Sequence, residues 1–214
     1  MSDYDSSRLH VIDHPLVQHK ISLLRDKSTT TKEFRDLVTE LAIFEGYEAL
    51  RDLPLEDVEV ETPLEVTVGK CIGGKKLALV PVLRAGLGMV DGLLNLVPTA
   101  RIGHLGMYRD EVTHKPVPYY CNLPEDIHLR SCLILDPMLA TGGSLTAAIQ
   151  ALREAGVLDI RCLTLVSCPE GIKRVLDFDE RVQLYTCAVD RQLSKDALIL
   201  PGLGDAGDRI FGTK

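Results

Sequence analysis

The sequence predicts an α/β protein with a mostly parallel sheet flanked by helices. Two observations carry this. Over residues 77–189, short apolar runs of strand length alternate with stretches whose apolar residues recur at helical spacing, the pattern of strands joined by crossover helices. Several of the expected strands also run into loops of small residues bearing one charge, and ligands of open α/β sheets bind at such strand ends.

Composition limits the function classes. A chain of 214 residues, 45% hydrophobic and 26% charged, can bury a sizeable core as a soluble globular protein. A net charge of -7 gives no electrostatic footprint for nucleic acid or an anionic membrane, so an anionic substrate needs a local basic patch. No apolar stretch is long enough to span a bilayer, and the polar N-terminus shows no signal peptide. The six cysteines contain no Cys-x-x-Cys pair and several fall in expected strands, so most read as buried thiols in a reducing cytoplasm. The six histidines have no metal-site spacing.

In chain order, residues 1–9 are polar and expected to be loose. Pro15 sits well at the first position of a helix through about Asp26, with Leu16, Ile21, Leu23 and Leu24 available for packing. Thr30 and Glu33 form a capping box for a second helix that turns Phe34, Leu37, Val38, Leu41, Phe44 and Tyr47 inward. Two leading helices are an added layer or a subunit contact. Residues 58–61 and 64–68 alternate with period two, a half-exposed hairpin or edge pair. Residues 77–82 are a buried strand, followed by Arg84, Gly86 and Gly88 and a helix from Met89 to about Val97. Arg84 is either a solvated charge or, because a cation at a helix start opposes the dipole, the sign of a nearby anion.

Residues 101–108 are the next strand, and residues 113–120 with the polar stretch to Arg130 read as a projecting hairpin or flap. Cys132 to Leu135 is a strand ended by Asp136 and Pro137. From Ser144 the spacing of Leu145, Ala148, Ile149 and Leu152 is helical, and Gly156 is the expected C-cap. Between them, Thr141, Gly142, Gly143 and Ser144 offer unpaired N–H groups at a helix N-terminus, with two glycines that let backbone close around a phosphate. An ordinary βα turn is the plain alternative. Asp136 at the strand end favours a phosphate site with a carboxylate beside it. A strand at residues 160–166, a helix from Pro169 to about Asp177 and a strand at residues 181–189 complete the alternation. Glycines at 202, 204, 207 and 212 exclude a regular helix or strong strand in the tail, yet Ile199, Leu200, Leu203, Ile210 and Phe211 are too apolar for a frayed one.

The run from Asp136 to Ser144 lacks the P-loop lysine and the dinucleotide glycine spacing. It resembles the phosphoribosyl-pyrophosphate loop of the phosphoribosyltransferases. Most of that family carries a second acid where this chain has Pro137, and the run Asp136, Pro137, Met138, Leu139, Ala140, Thr141, Gly142, Gly143, Ser144 is similar to the uracil-using branch. The tail from Pro201 to Asp208 resembles the uracil-binding segment of the same branch, and the likeness runs from about His14 to Lys214.

The resemblance implies a single phosphoribosyltransferase-like domain over 1–214, with N-terminal helices at 1–50, an α/β core at 77–189 and a C-terminal base-binding segment at 190–214. It implies transfer of a phosphoribosyl group from phosphoribosyl pyrophosphate, carrying Mg²⁺, to N1 of uracil. Residues 136–144 would hold the 5-phosphate and ribose, and Arg84 and Arg109 the pyrophosphate. Asp205 would lie near the magnesium complex, and Ile199, Gly204, Asp205 and Ala206 would read the base. No residue is assigned as general base, and none binds metal directly. The same resemblance admits GTP as an effector and implies a homo-oligomer. A phosphoribosyltransferase-fold regulator that binds RNA should show a basic face, which the net charge opposes, and a purine salvage enzyme should keep the second acid.

Overall fold

The structure, a computed structural model, describes residues 6–74, 77–109 and 116–213. After a 3-10 turn at Ser6–Arg8, strand β1 (Leu9–Val11) leads into helices α1 (Pro15–Arg25) and α2 (Thr31–Ala49). Strands β2 (Leu55–Glu61) and β3 (Val66–Ile72) form a separate antiparallel hairpin. Then come β4 (Leu77–Leu83), α3 (Leu87–Leu96), β5 (Arg101–Ile102), β6 (His104–Arg109) and β7 (Pro116–Asn122). They are followed by β8 (Ser131–Leu135), β9 (Met138–Leu139), α4 (Gly143–Glu154), β10 (Ile160–Ser167), α5 (Pro169–Phe178) and β11 (Gln183–Val189). A ribbon of β12 (Gln192–Leu193) and β13 (Ile199–Leu200) and the short helix α6 (Ala206–Phe211) end the chain.

The main sheet has the order β1-β11-β10-β8-β4-β6-β7, with β5 beside β4 and β9 beside β10. Every pairing in it is parallel except β6 with β7. This is the mostly parallel α/β sheet that the sequence predicts. Strand β4 connects through α3 to one side of the sheet and β8 connects through α4 to the other, although the two strands are neighbours. Their carboxyl ends therefore flank a topological switch point, where open α/β sheets bind ligands.

Both faces of the sheet are covered, so the central strands are apolar on both sides. Leu77, Leu79, Leu133 and Leu135 pack with α1, α2 and α3, while Ala78, Val80, Cys132 and Ile134 pack with α4 and α5. Burial contributes roughly 1.5–3 kcal/mol for each large aliphatic side chain, which anchors β4 and β8 and hence the loops at their ends.

Local signals behave as their chemistry requires. Pro15 opens α1, and Thr30 and Glu33 close the capping box of α2. Gly156 takes φ +84° after α4 and donates to Arg153 O, while Val157 donates to Leu152 O. Four cysteines are buried, but Cys71 and Cys121 are exposed.

Several expectations need correction. Leu16, Leu23 and Tyr47 face solvent, because the buried stripes of α1 and α2 run through Val17, Ile21 and Leu24 and through Phe34, Leu37, Val38 and Leu41. Of residues 1–9, 1–5 lie outside the described residues, Ser6–Arg8 form the 3-10 turn, and Leu9 opens an edge strand ordered by parallel pairing with β11. Strand 101–108 is broken at Gly103, whose N–H donates to Leu79 O. Beyond Pro137 the extended chain resumes as β9, because Pro137 O accepts from Leu165 and Val166 before β9 pairs with β10. The glycine-rich tail contains α6, capped by the Asp205 carboxylate on the Asp208 N–H at 2.9 Å. Residues 110–115 of the expected flap lie outside the described residues.

One buried charge site stands apart. Glu45 of α2 is fully buried, its Oε1 accepting from Thr164 N at 3.0 Å and its Oε2 without a hydrogen-bond partner. Burial pushes its carboxyl well above the ordinary 4.5, with the Thr164 N–H opposing. A raised folded value means full stability below pH 4.5 and loss as pH rises toward the folded value. Glu45→Gln removes that titration. Denaturant unfolding should show the variant gaining on the parent by roughly 1.4 kcal/mol per pH unit above this threshold. Parallel stability profiles for the two proteins would contradict a buried, neutral Glu45.

Candidate active site

The loop after β8 begins at Asp136. Its Oδ1 accepts from Met138 N at 3.4 Å, and burial outweighs that bond, raising the carboxyl to about 7. The residue keeps some surface exposure, so a ligand can reach it. Pro137 is buried, Met138 and Leu139 form β9, and Ala140 and Thr141 lead to the turn. Gly142 is the N-cap of α4 at φ 76°, a left-handed conformation that a side chain would strain. A Cβ there would also lie 3.0 Å from Gly171 O. Gly143 rather than Ser144 begins the helix, and no side chain caps it. Its first-turn N–H groups point outward with the positive end of the dipole, as an anion site requires.

The second loop follows β4, where the Leu83–Arg84 peptide is cis. Gly86 presses against β8: a Cβ on it would stand 2.2 Å from Leu135 O. No residue but glycine lets the two loops approach this closely. The Arg84 side chain is 58% exposed, with its guanidinium 3.9 Å from Asp208 and 5.6 Å from the Phe211 ring centroid. An exposed ion pair at that distance contributes under about 1 kcal/mol, so a ligand anion can replace it.

The tail closes the third side. A Cβ on Gly207 would lie 3.9 Å from the Ala85 Cβ, which places α6 against the Arg84 loop. Gly204 is exposed at φ +87°, Asp205 is exposed, and Ala206 is buried as the first residue of α6. Ile199 is buried in the β12–β13 ribbon. Anchors for this segment come from the N-terminal helices. Arg209 donates to Leu24 O, Asp26 O and Leu203 O and stacks over Phe34, and Arg35 donates to Ile210 O. The two leading helices are therefore an added layer that carries the tail.

Residues 136–144, Arg84 and 204–206 thus converge on the switch point. The Arg109 side chain lies outside the described residues, although its backbone ends β6. Sequence reasoning missed Asp208 as the carboxylate facing Arg84, and also Arg174, which donates to Thr141 O at 3.3 Å. The helical spacing of Pro169 to Asp177 signalled that α5 exists but not which of its residues faces the loop. Among the described residues, no group of three or more His, Cys, Asp or Glu side chains could hold a metal ion, and no helix is long and apolar enough to cross a membrane.

Comparison with known proteins gives a consistent answer. The family profile described as uracil phosphoribosyltransferase matches residues 11–213. The chain is 58% identical over 207 residues to the uracil phosphoribosyltransferase of Streptococcus suis, covering 97% of this chain and 99% of the relative. It is 54% identical over 208 residues to that of Alkaliphilus metalliredigens, covering 97% and 100%. Among solved structures, the AQ2163 protein of Aquifex aeolicus superposes with a TM-score of 0.92 at 36% identity, over 96% of this chain and 99% of that one. A hypoxanthine phosphoribosyltransferase from Trypanosoma cruzi shares the fold at a TM-score of 0.51 and 16% identity, over 79% and 76%. With its parallel sheet, its uncapped glycine loop and this likeness along nearly the whole chain, the protein belongs to the uracil phosphoribosyltransferase family.

Proposed function

We propose that the chain transfers the 5-phosphoribosyl group of magnesium phosphoribosyl pyrophosphate to N1 of uracil, giving UMP and pyrophosphate. The observation that carries this is the convergence of an uncapped helix N-terminus, an available arginine and a glycine-rich tail at one switch point. The C1′–O bond to pyrophosphate breaks with its electron pair leaving on oxygen, the N1–C1′ bond forms, and the N1 proton is released. No side chain is assigned to take that proton. Mg²⁺ would arrive bound to its substrate, since this ion seldom uses an all-protein cage, with Asp205 beside it.

Each part then has a task. The backbone from Ala140 to Ser144 holds the 5-phosphate, with Pro137, Met138 and Leu139 fixing its approach, and Asp136 accepts from the ribose hydroxyls. Arg84, with Arg109, balances charge gathering on the leaving pyrophosphate, so catalysis is positioning and electrostatics. Main chain at Ile199, Gly204 and Ala206 reads the edge of uracil. The chain acts as one catalytic unit, and its six free thiols suit a reducing cytoplasm. An exposed hairpin bearing Val58, Val60, Leu64, Val66 and Val68 supports a homo-oligomer, and GTP is proposed as effector on the family resemblance alone.

The direct test is pyrophosphate release with uracil, cytosine, guanine and hypoxanthine in parallel. Cytosine swaps a donor and an acceptor and would leave buried groups mispaired, so uracil should win by roughly 10⁴-fold or more. Comparable cytosine turnover would overturn the assignment. The structure also refines a variant. Ala206 is the first residue of α6, where proline is tolerated, and Asp205 before it is extended at φ -83°, ψ 113°. Ala206→Pro should therefore fold, lose one N–H, and impair uracil use far more than phosphoribosyl-pyrophosphate binding. Full uracil activity in the folded variant would remove Ala206 from the base site.

Asp136 gives a pH signature. Its carboxyl ionises at about 7 in the free protein, and hydroxyl donors favour the ionised form. Stability linked to it is present below its ordinary 3.8 and falls as pH rises through about 7, the same range in which the ribose site becomes competent. Phosphoribosyl-pyrophosphate affinity should rise by roughly tenfold between about pH 6 and pH 8 beyond the rise seen in Asp136→Asn. Equal slopes by calorimetry would exclude Asp136 as the titrating ligand.

A further inference from the structure

An ion pair between the carboxyl end of α1 and Asp190 grips one residue of the tail by both its N–H and its C=O. Arg25 donates to both carboxylate oxygens of Asp190, at 2.6 and 2.8 Å, and the same guanidinium donates to Gly202 O at 2.8 Å. Asp190 Oδ2 in turn accepts from Gly202 N at 2.8 Å. The N–H and C=O of a single residue are thus held by the two members of one ion pair. Asp190 has a side chain only 5% exposed and stands just beyond β11, its own N–H donating to Ser167 O at 2.7 Å. The pair is therefore fixed to the sheet on one side and to α1 on the other.

Gly202 needs such a grip. It lies at φ +64°, folded back so that a Cβ would meet Ile199 O at 2.2 Å. Next to it, Leu203 O accepts from Arg209, which also holds Leu24 O and Asp26 O. Gly204 itself is loosely held, a Cβ there finding only Arg209 Cδ, at 3.9 Å, before the Asp205 cap of α6 takes over. The direction in which residues 204–206 leave the clamp therefore depends on how the backbone at Gly202 is turned. Apolar packing could hold the segment in place, but a bidentate fork also fixes its rotation.

We propose that Arg25 and Asp190 are positioning residues for the nucleobase, which set the aim of the main-chain groups from Gly204 to Ala206 by clamping the N–H and C=O of Gly202. This rests on the reading of that segment as the uracil site. The clamp acts chiefly on the base, since the phosphoribosyl loop hangs from a different strand end and the tail offers that substrate only the Asp205 side chain, which α6 holds from its other side. It predicts a split between two substrates that general destabilisation would not produce.

The test is steady-state kinetics of Arg25→Ala and Arg25→Lys with uracil and phosphoribosyl pyrophosphate varied separately, alongside hydrogen exchange of peptides spanning 199–206 and 139–145. In Arg25→Ala, KM for uracil should rise by about tenfold or more while KM for phosphoribosyl pyrophosphate stays within about twofold, since a charge-assisted contact is lost on one side only. Exchange should quicken in 199–206 and not in 139–145. Arg25→Lys, which keeps the charge without the fork, should recover part of the loss. Equal rises in both KM values, a uracil KM that does not move, or exchange in 199–206 that does not change would each overturn the proposal. Should Arg25→Ala fail to fold, Arg25→Lys and Asp190→Asn carry the same comparison. A native protein that uses another base but not uracil sinks the uracil reading, and the same split is then read with that base.

Discussion

The absence of a side chain at Gly86 is the constraint on which the site depends. With the Leu135 carbonyl only 2.2 Å from where a Cβ would stand, the loop after β4 can lie against the end of β8 only as glycine. That approach sets Arg84 beside the loop that starts at Asp136. The two strands are held in register by five paired positions, from Leu77 with Ser131 to Pro81 with Leu135, and by apolar packing on both faces. Rigid strands and one missing methyl group thus hold two loops in a fixed relation.

The electrostatic design follows from a chain that is acidic overall, at -7, yet takes a polyanionic substrate in the proposed reaction. In that reaction backbone dipoles would do much of the work at the 5-phosphate, because the α4 N-terminus carries no capping side chain. Arginine is placed where charge would develop, and at 3.9 Å its partner Asp208 is too distant to hold the exposed guanidinium. Asp136 works in the other direction, being costly to ionise until something donates to it. Partly unsatisfied groups of this kind are stability given up locally for binding.

The sheet and the central loop were legible because they are written in local patterns. Continuous apolar runs marked β4, β8 and β10, and the change of period after Gly143 marked α4. The tail was legible only by its apolar content and its likeness to a known segment. Counting glycines hid α6, because the Arg209 contacts that stabilise it involve partners up to 185 residues away, although its Asp205 cap is local. Strand β1 was hidden for the same reason, since the ladder that orders it is with the distant β11. The Arg25–Asp190 pair spans 165 residues, and neither residue sits in a motif. Leu16 and Tyr47 show a different limit, in which an apolar residue at the margin of a helical stripe falls on the wrong side of the helix.

In the proposed reaction one switch point, formed by loops 136–144 and 83–88 and the tail, holds both halves of the product. Titration of isotopically labelled protein with UMP, followed by amide resonances, tests this most directly. The account predicts that the largest shifts fall on Ala140 to Ser144 for the phosphate and on Gly204 to Ala206 for the base, and that both groups move with the same dissociation constant. Shifts that cluster elsewhere, such as the cavity lined by His10, His14, Asp52 and Tyr185, or that leave the tail unmoved, would contradict it.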